Sequence, residues 1–426
     1  MITTKTKTRL KIAFTGALII LFSSATLAKF NNNPPTKGAY ETGKYRNLAS
    51  EMGKKEVWKK VNAGFANMFG NNKPQQLYYK YTEGGKHTGH YIKTTSTNDI
   101  RTEGQSWGMT VAVMMDKKWE FDNLWRFAKK YQKNSNNHQD PKKRGTYAWL
   151  LEFDSNGEVF KKDDGPAPDG EEYFAFALLN ADARWGSDGD INYYAEAKTM
   201  LATIKSKLMK NKVIVFSPYV DNVTDPSYHI PAFYDYFSDR LTNQADKTYW
   251  AEVATRSRKF LKDHFAKVKD DPHWNLPTYL ARPWGTPVAG NIFANQANPG
   301  DWYELDAWRV AMNVALDAHV MGAEQWHKDA INGILGALSY DKSVNGDGCY
   351  KQTYAFGVAQ SPYCAGEGQI ASNAVALLAS TNSTEAKEYF DEFWNVPQPT
   401  GKYRYYNGSL YMLAMMHVTG RFKFYK

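Results

Sequence analysis

Cysteine is nearly absent from this 426-residue chain, which carries only Cys349 and Cys364. Neither belongs to a CxxC spacing and neither has an evident His base, so thiol redox and nucleophilic chemistry are poor readings. Fifteen positions apart in a Gly- and Tyr-rich loop, they read as one structural disulfide. A loop of that size contributes ~3 kcal/mol where the compartment is oxidising. Long hydrophobic runs are missing too, so nothing here is long and uncharged enough to span a bilayer. Clustered Lys and Arg are also lacking: 53 basic against 44 acidic residues give +9, spread along the chain with no nucleic-acid footprint. Pro/Ser/Gly linkers and low-complexity segments do not occur after residue 29, which argues against several tethered modules.

The one short apolar stretch with a purpose of its own is at the start. Lys5, Lys7, Arg9 and Lys11 precede apolar residues from Ile12 to Phe22, followed by Ser23-Ser-Ala-Thr-Leu-Ala28. A basic start, a short apolar centre and small residues are the parts of a secretory signal peptide. Residues 1–28 are therefore expected to be a leader cleaved before Lys29, its loss lowering the basic excess by four. Residues 29–426 are expected to form one exported domain, beginning with a polar arm (KFNNNPPTKGAY).

Beyond that arm, helical periodicity recurs. Trp58, Val61, Phe65 and Met68 form one stripe, and Trp107, Val111 and Met114 another. Later stripes include Phe174, Leu178, Ala181 and Trp185, then Leu305, Trp308, Met312, Leu316 and Val320, then Leu410, Leu413, Ala414 and His417. With weaker candidates at 118–132 and 231–240, about a dozen helices are predicted, with only short strands such as 77–81 and 213–216. Helices apolar around much of their circumference (170–185) alternate with more charged ones (191–211). That alternation predicts an inner and an outer layer, a closed barrel of helical hairpins. A superhelical stack lacks the fixed repeat it would need.

What the chain has in surplus is aromatic: 13 Trp, 28 Tyr and 22 Phe, 15% of all residues. Cores rarely need so many rings with polar atoms, so the surplus points to flat, partly polar ligands such as sugars. Three acids stand at helix starts beside Gly and aromatics: Glu103 (RTEGQSW), Asp169 (PAPDGEEYF) and Asp306 (WYELDAWR). Acids there are commonly caps or partners of the helix dipole. Glu103 and Asp306, however, fall within stripes that otherwise face a core, and paired carboxylates among rings suit glycoside chemistry.

The stretch Ala167-Pro-Asp169-Gly-Glu171-Glu-Tyr-Phe-Ala-Phe-Ala-Leu178 resembles the signature of glycoside hydrolase family 8. DIRTEGQSWGM (99–109), FSPYVDNVTDPSYHIPAFYDYF (216–237), ANPGDWYELDAWR (297–309) and KYRYYNGSLYMLAM (402–415) extend the resemblance, to the family's secreted β-1,4-xylanases, over nearly the whole chain after the leader. It implies an all-α (α/α)6 barrel, an inverting mechanism and no organic cofactor. Position by position it implies Glu103 as general acid, Asp306 as general base and Asp169 as the acid that holds the distorted sugar. Tyr228 and Arg309 match residues that orient the attacking water and the base, although Arg309 also reads as a structural ion pair. The signature's usual second Asp is Glu171 here, after Pro168 in place of Ser or Thr, which argues against a direct role for Glu171.

Trp107, Trp149, Tyr403 and Tyr406 are the candidate sugar-stacking rings, with core packing an equally open reading for each. Trp107 would also favour the protonated form of Glu103. Leu305 stands where related xylanases are expected to carry an aromatic residue. His87 and His90, Asp188-Gly-Asp190 and Asp154-Ser-Asn-Gly-Glu158 complete no ligand set, so no metal is predicted. The expected protein is a monomeric inverting endo-β-1,4-xylanase. Its partners are xylan and xylo-oligosaccharides, with neither nucleic acid nor membrane once the leader is gone. An exo-acting oligoxylanase and a glucan- or chitosan-cleaving relative are the rival enzymes. A silent polysaccharide-binding barrel would be expected to have lost one of the three acids, and all are present.

Overall fold

The computed structural model describes residues 33–426 apart from 72, 270–274, 294–298 and 356. The leader expected at 1–28 and the start of the polar arm lie outside the described residues. Six helices form the inner ring: α3 (Thr102–Met114), α5 (Pro168–Trp185), α7 (Pro231–Arg240), α9 (Asp306–Val320), α11 (Glu367–Ala376) and α13 (Arg404–Val418). Each touches the next in this order, and α13 returns to α3, which closes the ring. Outside it lie α2 (Lys54–Phe69), α4 (Lys118–Phe127), α6 (Tyr193–Thr203), α8 (Gln244–Val268), α10 (Gln325–Val344) and α12 (Ser383–Asn395). Each packs against one inner helix: α2 on α13, α4 on α3, α6 on α5, α8 on α7, α10 on α9 and α12 on α11. This is an (α/α)6 barrel, and α1 (Ala39–Thr42) is a single turn against α9.

The two layers differ as their sequences do. Every residue of α5 from Pro168 to Ala181 is buried, as is every residue of α9 from Ala307 to Val320. Such helices have no polar face to give to water, so they are stable only when surrounded. Outer α8 instead buries a single stripe that includes Trp250, Ala254, Leu261 and Phe265. Helix α2 shows where the periodicity misleads. Its buried stripe runs through Val57, Val61, Phe65 and Met68, while Trp58 is 62% exposed. Val57 holds the inward position, and a residue one step along a helix turns about 100° away from it.

Strands are confined to connections. The longest are the antiparallel pair β1 (Tyr78–Glu83) and β2 (Lys86–Ile92). Among the described residues no helix is long and apolar enough to cross a membrane, and no group of three or more His, Cys, Asp or Glu side chains is placed to hold a metal. His87 Nε2 lies 3.1 Å from His90 Nδ1 and 3.1 Å from the Gly89 carbonyl, and both rings pack beside Trp119.

Cys349 and Cys364 form a disulfide with their Cα atoms 5.7 Å apart. It closes the connection between α10 and α11, where Tyr354 Oη and the Lys351 amide both bond Asp341. The bridge adds a covalent constraint to a segment also held by the buried rings of Tyr350 and Tyr354. Cys349→Ser is expected to lower stability by about 3 kcal/mol, seen as a lower urea midpoint that the wild type reproduces only in reductant. An unchanged midpoint would show that the hydrogen bonds to Asp341 suffice.

Candidate active site

The polar side chains at one mouth of the barrel come from the first turns of inner helices. Glu103 is the second residue of α3, Asp169 the second of α5 and Asp306 the first of α9, while Tyr405 and Tyr406 follow Arg404 at the start of α13. A helix start has free amide groups and a positive end, which favour carboxylates. Asp169 uses one of them, with the Gly170 amide donating to Oδ1 at 2.9 Å. Two glycines let these turns meet. A Cβ on Gly104 would lie 2.4 Å from the Tyr405 ring, and one on Gly170 would lie 2.5 Å from Thr102.

Arg309, one turn into α9, lies buried among the three acids. Its Nη1 is 2.8 Å from Asp169 Oδ2 and its Nη2 is 2.9 Å from Asp306 Oδ1. Glu103 Oε2 is farther away, 3.8 Å from Nη1. Trp107 lies beneath the guanidinium, 5.3 Å from ring centroid to Cζ, a cation–π contact that helps hold the cation in a dry place. Tyr405 donates to Glu103 Oε1 at 2.9 Å, and Tyr406 donates to Asp306 Oδ1 at 3.1 Å.

Arg309 thus serves three carboxylates, with Arg101 a second cation acting on Glu103, and burial of the cluster favours a proton among them. Glu103, the most weakly paired of the three, is the one best suited to keep it. Burial pushes its carboxyl up to about 8; Asp306 and Asp169 add to the rise, while Arg309 and Arg101 oppose it. Burial also lifts Asp169 above the ordinary aspartate range, against the pull of Arg309.

A cleft of about 1,010 Å³ opens over these groups. Glu103, Asp169, Asp306, Trp149, Tyr228 and Tyr406 all line it. Trp149 carries the Arg101 guanidinium 5.5 Å from its ring, and Tyr228 stacks on Phe216 at 6.0 Å. The other expected rings fall elsewhere. Trp107 is 1% exposed and has no face to offer a sugar: packed between Arg309, Tyr173 and Tyr406, it is a floor for the guanidinium. Tyr403 is 66% exposed and outside the cleft lining, beside the rim where Thr95 donates to the Lys402 carbonyl. Glu171 is buried away from the cleft, its Oε1 accepting the Tyr147 amide at 3.0 Å. Leu305 lines the cleft at 50% exposure, with φ +40° and ψ −103°.

Three residues at the mouth were not found from the sequence. Tyr405 is one: KYRYYNG shows three tyrosines, and only the helix phase reveals which faces Glu103. Tyr279 lines the cleft from a loop without periodicity. Asp225 is fully buried, caps the Ser227 amide through Oδ1 at 2.7 Å and so shapes the turn that carries Tyr228. DPSY was a cue to it, since Asp before a tight turn is a common amide acceptor.

A ring of helical hairpins with carboxylates around one cation, under an aromatic cleft, defines a glycosidase of the (α/α)6 class. The model of the glycosyl hydrolases family 8 matches residues 70–420, and the chain belongs to that family. The structure of a cold-adapted family 8 xylanase is similar at 66% identity and TM-score 0.91, over 93% of this chain and 99% of that one. A reducing end xylose-releasing exo-oligoxylanase of Halalkalibacterium halodurans is 36% identical over 91% of this chain and 96% of its own. Rex8A of Paenibacillus barcinonensis, a reducing-end xylose-releasing exo-oligoxylanase, is 32% identical over 91% and 99%.

The two-armed contact of Arg309 yields a prediction. Lysine has one compact ammonium and cannot serve Asp169 and Asp306 together. Arg309→Lys should lower kcat for glycoside hydrolysis by about 100-fold or more while the fold, followed by circular dichroism, persists. A variant with wild-type kcat would show that one contact is enough.

Proposed function

We propose that the protein is an inverting endo-β-1,4-xylanase that cuts internal bonds of xylan and xylo-oligosaccharides. The observation that carries this reading is the division of one guanidinium among three acids. Glu103, lifted by burial and paired least closely, holds the proton that the leaving oxygen needs. Asp306, held by Arg309 and Tyr406, is the general base. Asp169 grips the sugar at the cleavage point, and Tyr228 orients the attacking water. Trp149 and Tyr406 are sugar contacts within the cleft, and Tyr403 a contact beyond its rim. Inversion needs a water between acid and base, hence carboxyls roughly 6.5–9.5 Å apart, against about 5–5.5 Å for retention. A guanidinium standing between Glu103 and Asp306 supports the wider spacing.

Endo action needs a cleft open at both ends. The 66% identical neighbour is named a xylanase, which supports the endo reading. The curated relatives named above release xylose from reducing ends, and exo action is the second reading. Viscosity of xylan solutions separates them: a rapid fall is expected, whereas slow thinning with early xylose would replace endo by exo. Proton NMR of fresh hydrolysate should show the α-anomer first, and an initial β-anomer would overturn inversion. Glu103→Gln should remove most turnover yet keep oligosaccharide binding. In the wild type, kcat/KM should fall as pH rises through about 8, because the acid loses its proton there. Chitosan cleaved in preference to xylan would overturn the substrate assignment.

Export is part of the same proposal. The leader at 1–28 and a disulfide in the domain agree on an oxidising, extracytoplasmic destination. The mature enzyme is expected to be a monomer. N-terminal sequencing of exported enzyme should begin at Lys29, and an intact Met1 on active extracellular protein would contradict it.

A further inference from the structure

Behind the mouth, a second set of oxygens raises a proton-counting problem. Tyr234, on α7, contacts two oxygens with its hydroxyl: Oε1 of Glu172 and the backbone carbonyl of Tyr228, the latter at 3.0 Å. A phenol has one proton, so it donates once. Two oxygen–oxygen hydrogen bonds need two protons, and a carbonyl supplies none. If Tyr234 donated to Glu172, the Tyr228 carbonyl would face the phenol's lone pairs across 3.0 Å. If Tyr234 donates to Tyr228, the second proton must reside on Glu172.

The surroundings agree with the second arrangement. Glu172 and Tyr234 are buried, and Oε2 of Glu172 has no hydrogen-bond partner. Burial is the largest influence on Glu172 and lifts its carboxyl well above its usual range; Asp169 and Glu171 on its own helix add to the rise, while the Tyr234 hydroxyl and Arg309 on α9 oppose it. Arg309, moreover, is already committed to Asp169 and Asp306.

We propose that Glu172 is a neutral positioning residue that donates to Tyr234, so that Tyr234 donates to the carbonyl of Tyr228 and fixes its ring over the attacking water. The inference rests on the role given to Tyr228 above. The turn Pro226–Tyr228 is then held at three points. Asp225 accepts the Ser227 amide, Asn313 donates to the Ser227 carbonyl at 2.7 Å, and Tyr234 donates to the Tyr228 carbonyl. The Tyr228 amide is tied within the turn to the Asp225 carbonyl at 3.0 Å, whereas the Tyr228 carbonyl is held by Tyr234, a contact that depends on one buried proton. Glu172 thus works at a distance from the sugar, through a neighbour's backbone.

The test combines kinetics on xylohexaose with infrared spectroscopy of the folded enzyme. Tyr234→Phe should lower kcat by about tenfold or more with KM changed less than about twofold, because the ring of Tyr228 is loosened while the sugar sites remain. Glu172→Gln, a neutral isostere that can still donate, should stay within about threefold of wild-type kcat. At neutral pH the difference spectrum, wild type minus Glu172→Gln, should contain a protonated-carboxyl C=O band. A wild-type kcat in Tyr234→Phe, a Glu172→Gln variant with kcat lowered about tenfold or more, or a carboxylate band in place of the carboxyl band would each overturn the proposal. If Tyr234→Phe does not fold, the other two measurements decide. Wild-type enzyme inert on xylohexaose would sink the xylanase reading separately, and the infrared band would still report the proton on Glu172.

Discussion

The shortage of positive charge at the mouth of the barrel governs the rest of the site. Arg309 makes close ion pairs with two acids and a longer one with a third. A single buried cation cannot neutralise three anions, and an uncompensated anion in such a place is expensive. The system relaxes by keeping protons. Burial raises Glu103 and Asp169, distance to the guanidinium sets how far Arg309 opposes it, and that distance is set by the barrel: Asp306 and Arg309 share one turn of α9, Asp169 comes from α5 and Glu103 from α3. Trp107 fixes the cation from below, and Gly104 and Gly170 let the three first turns come close enough. Chemical asymmetry between similar carboxyl groups thus arises from helix packing.

Much of this arrangement was legible in the chain. The alternation of all-round apolar and one-sided helices gave the two layers, and the ring contacts from α3 to α13 supply what periodicity could not, the closure. Glu103, Asp169, Asp306, Tyr228, Trp149 and Tyr406 were named from motifs, and all of them meet at one cleft. The failures share one physical cause. Trp58 and Val57, or Tyr405 and Tyr406, are neighbours in sequence and differ only in helix phase, which tertiary contacts fix to within a residue. Trp107, for which sugar stacking and core packing are equally open readings of the sequence, takes the second and supports the acid's counter-ion from inside. The proton shared by Glu172, Tyr234 and Tyr228 joins residues 62 and 6 positions apart, and no local pattern announces it.

The aromatic surplus has a similar correction. Many of its rings build the interior: Phe176 stacks on Phe233 at 4.0 Å and on Phe422 at 5.4 Å, and Tyr236 and Phe424 close around them. These contacts also anchor the C-terminal segment against α5 and α7. Several of the buried phenolic oxygens find acceptors, such as the Tyr425 carbonyl for Tyr236, which offsets the cost of burying them. Composition pointed to sugar because the cleft is aromatic; most of the signal nevertheless came from the core.

Leu305 separates two properties that usually change together. Its backbone sits where side chains bearing a Cβ are strained, at a cost of order 1–3 kcal/mol, and that cost comes from the path of the chain into α9. The strain depends little on what lies beyond the β-carbon. Exchanging Leu305 for a larger or flatter side chain therefore leaves the conformational penalty almost unchanged while altering the wall of the cleft next to Asp306. Only glycine would release the stored strain, and with it the fixed approach to the first turn of the helix. Natural variation here can reshape the wall of the cleft without disturbing the Asp306–Arg309 ion pair, so the shape of the site and its charge arrangement are free to drift independently.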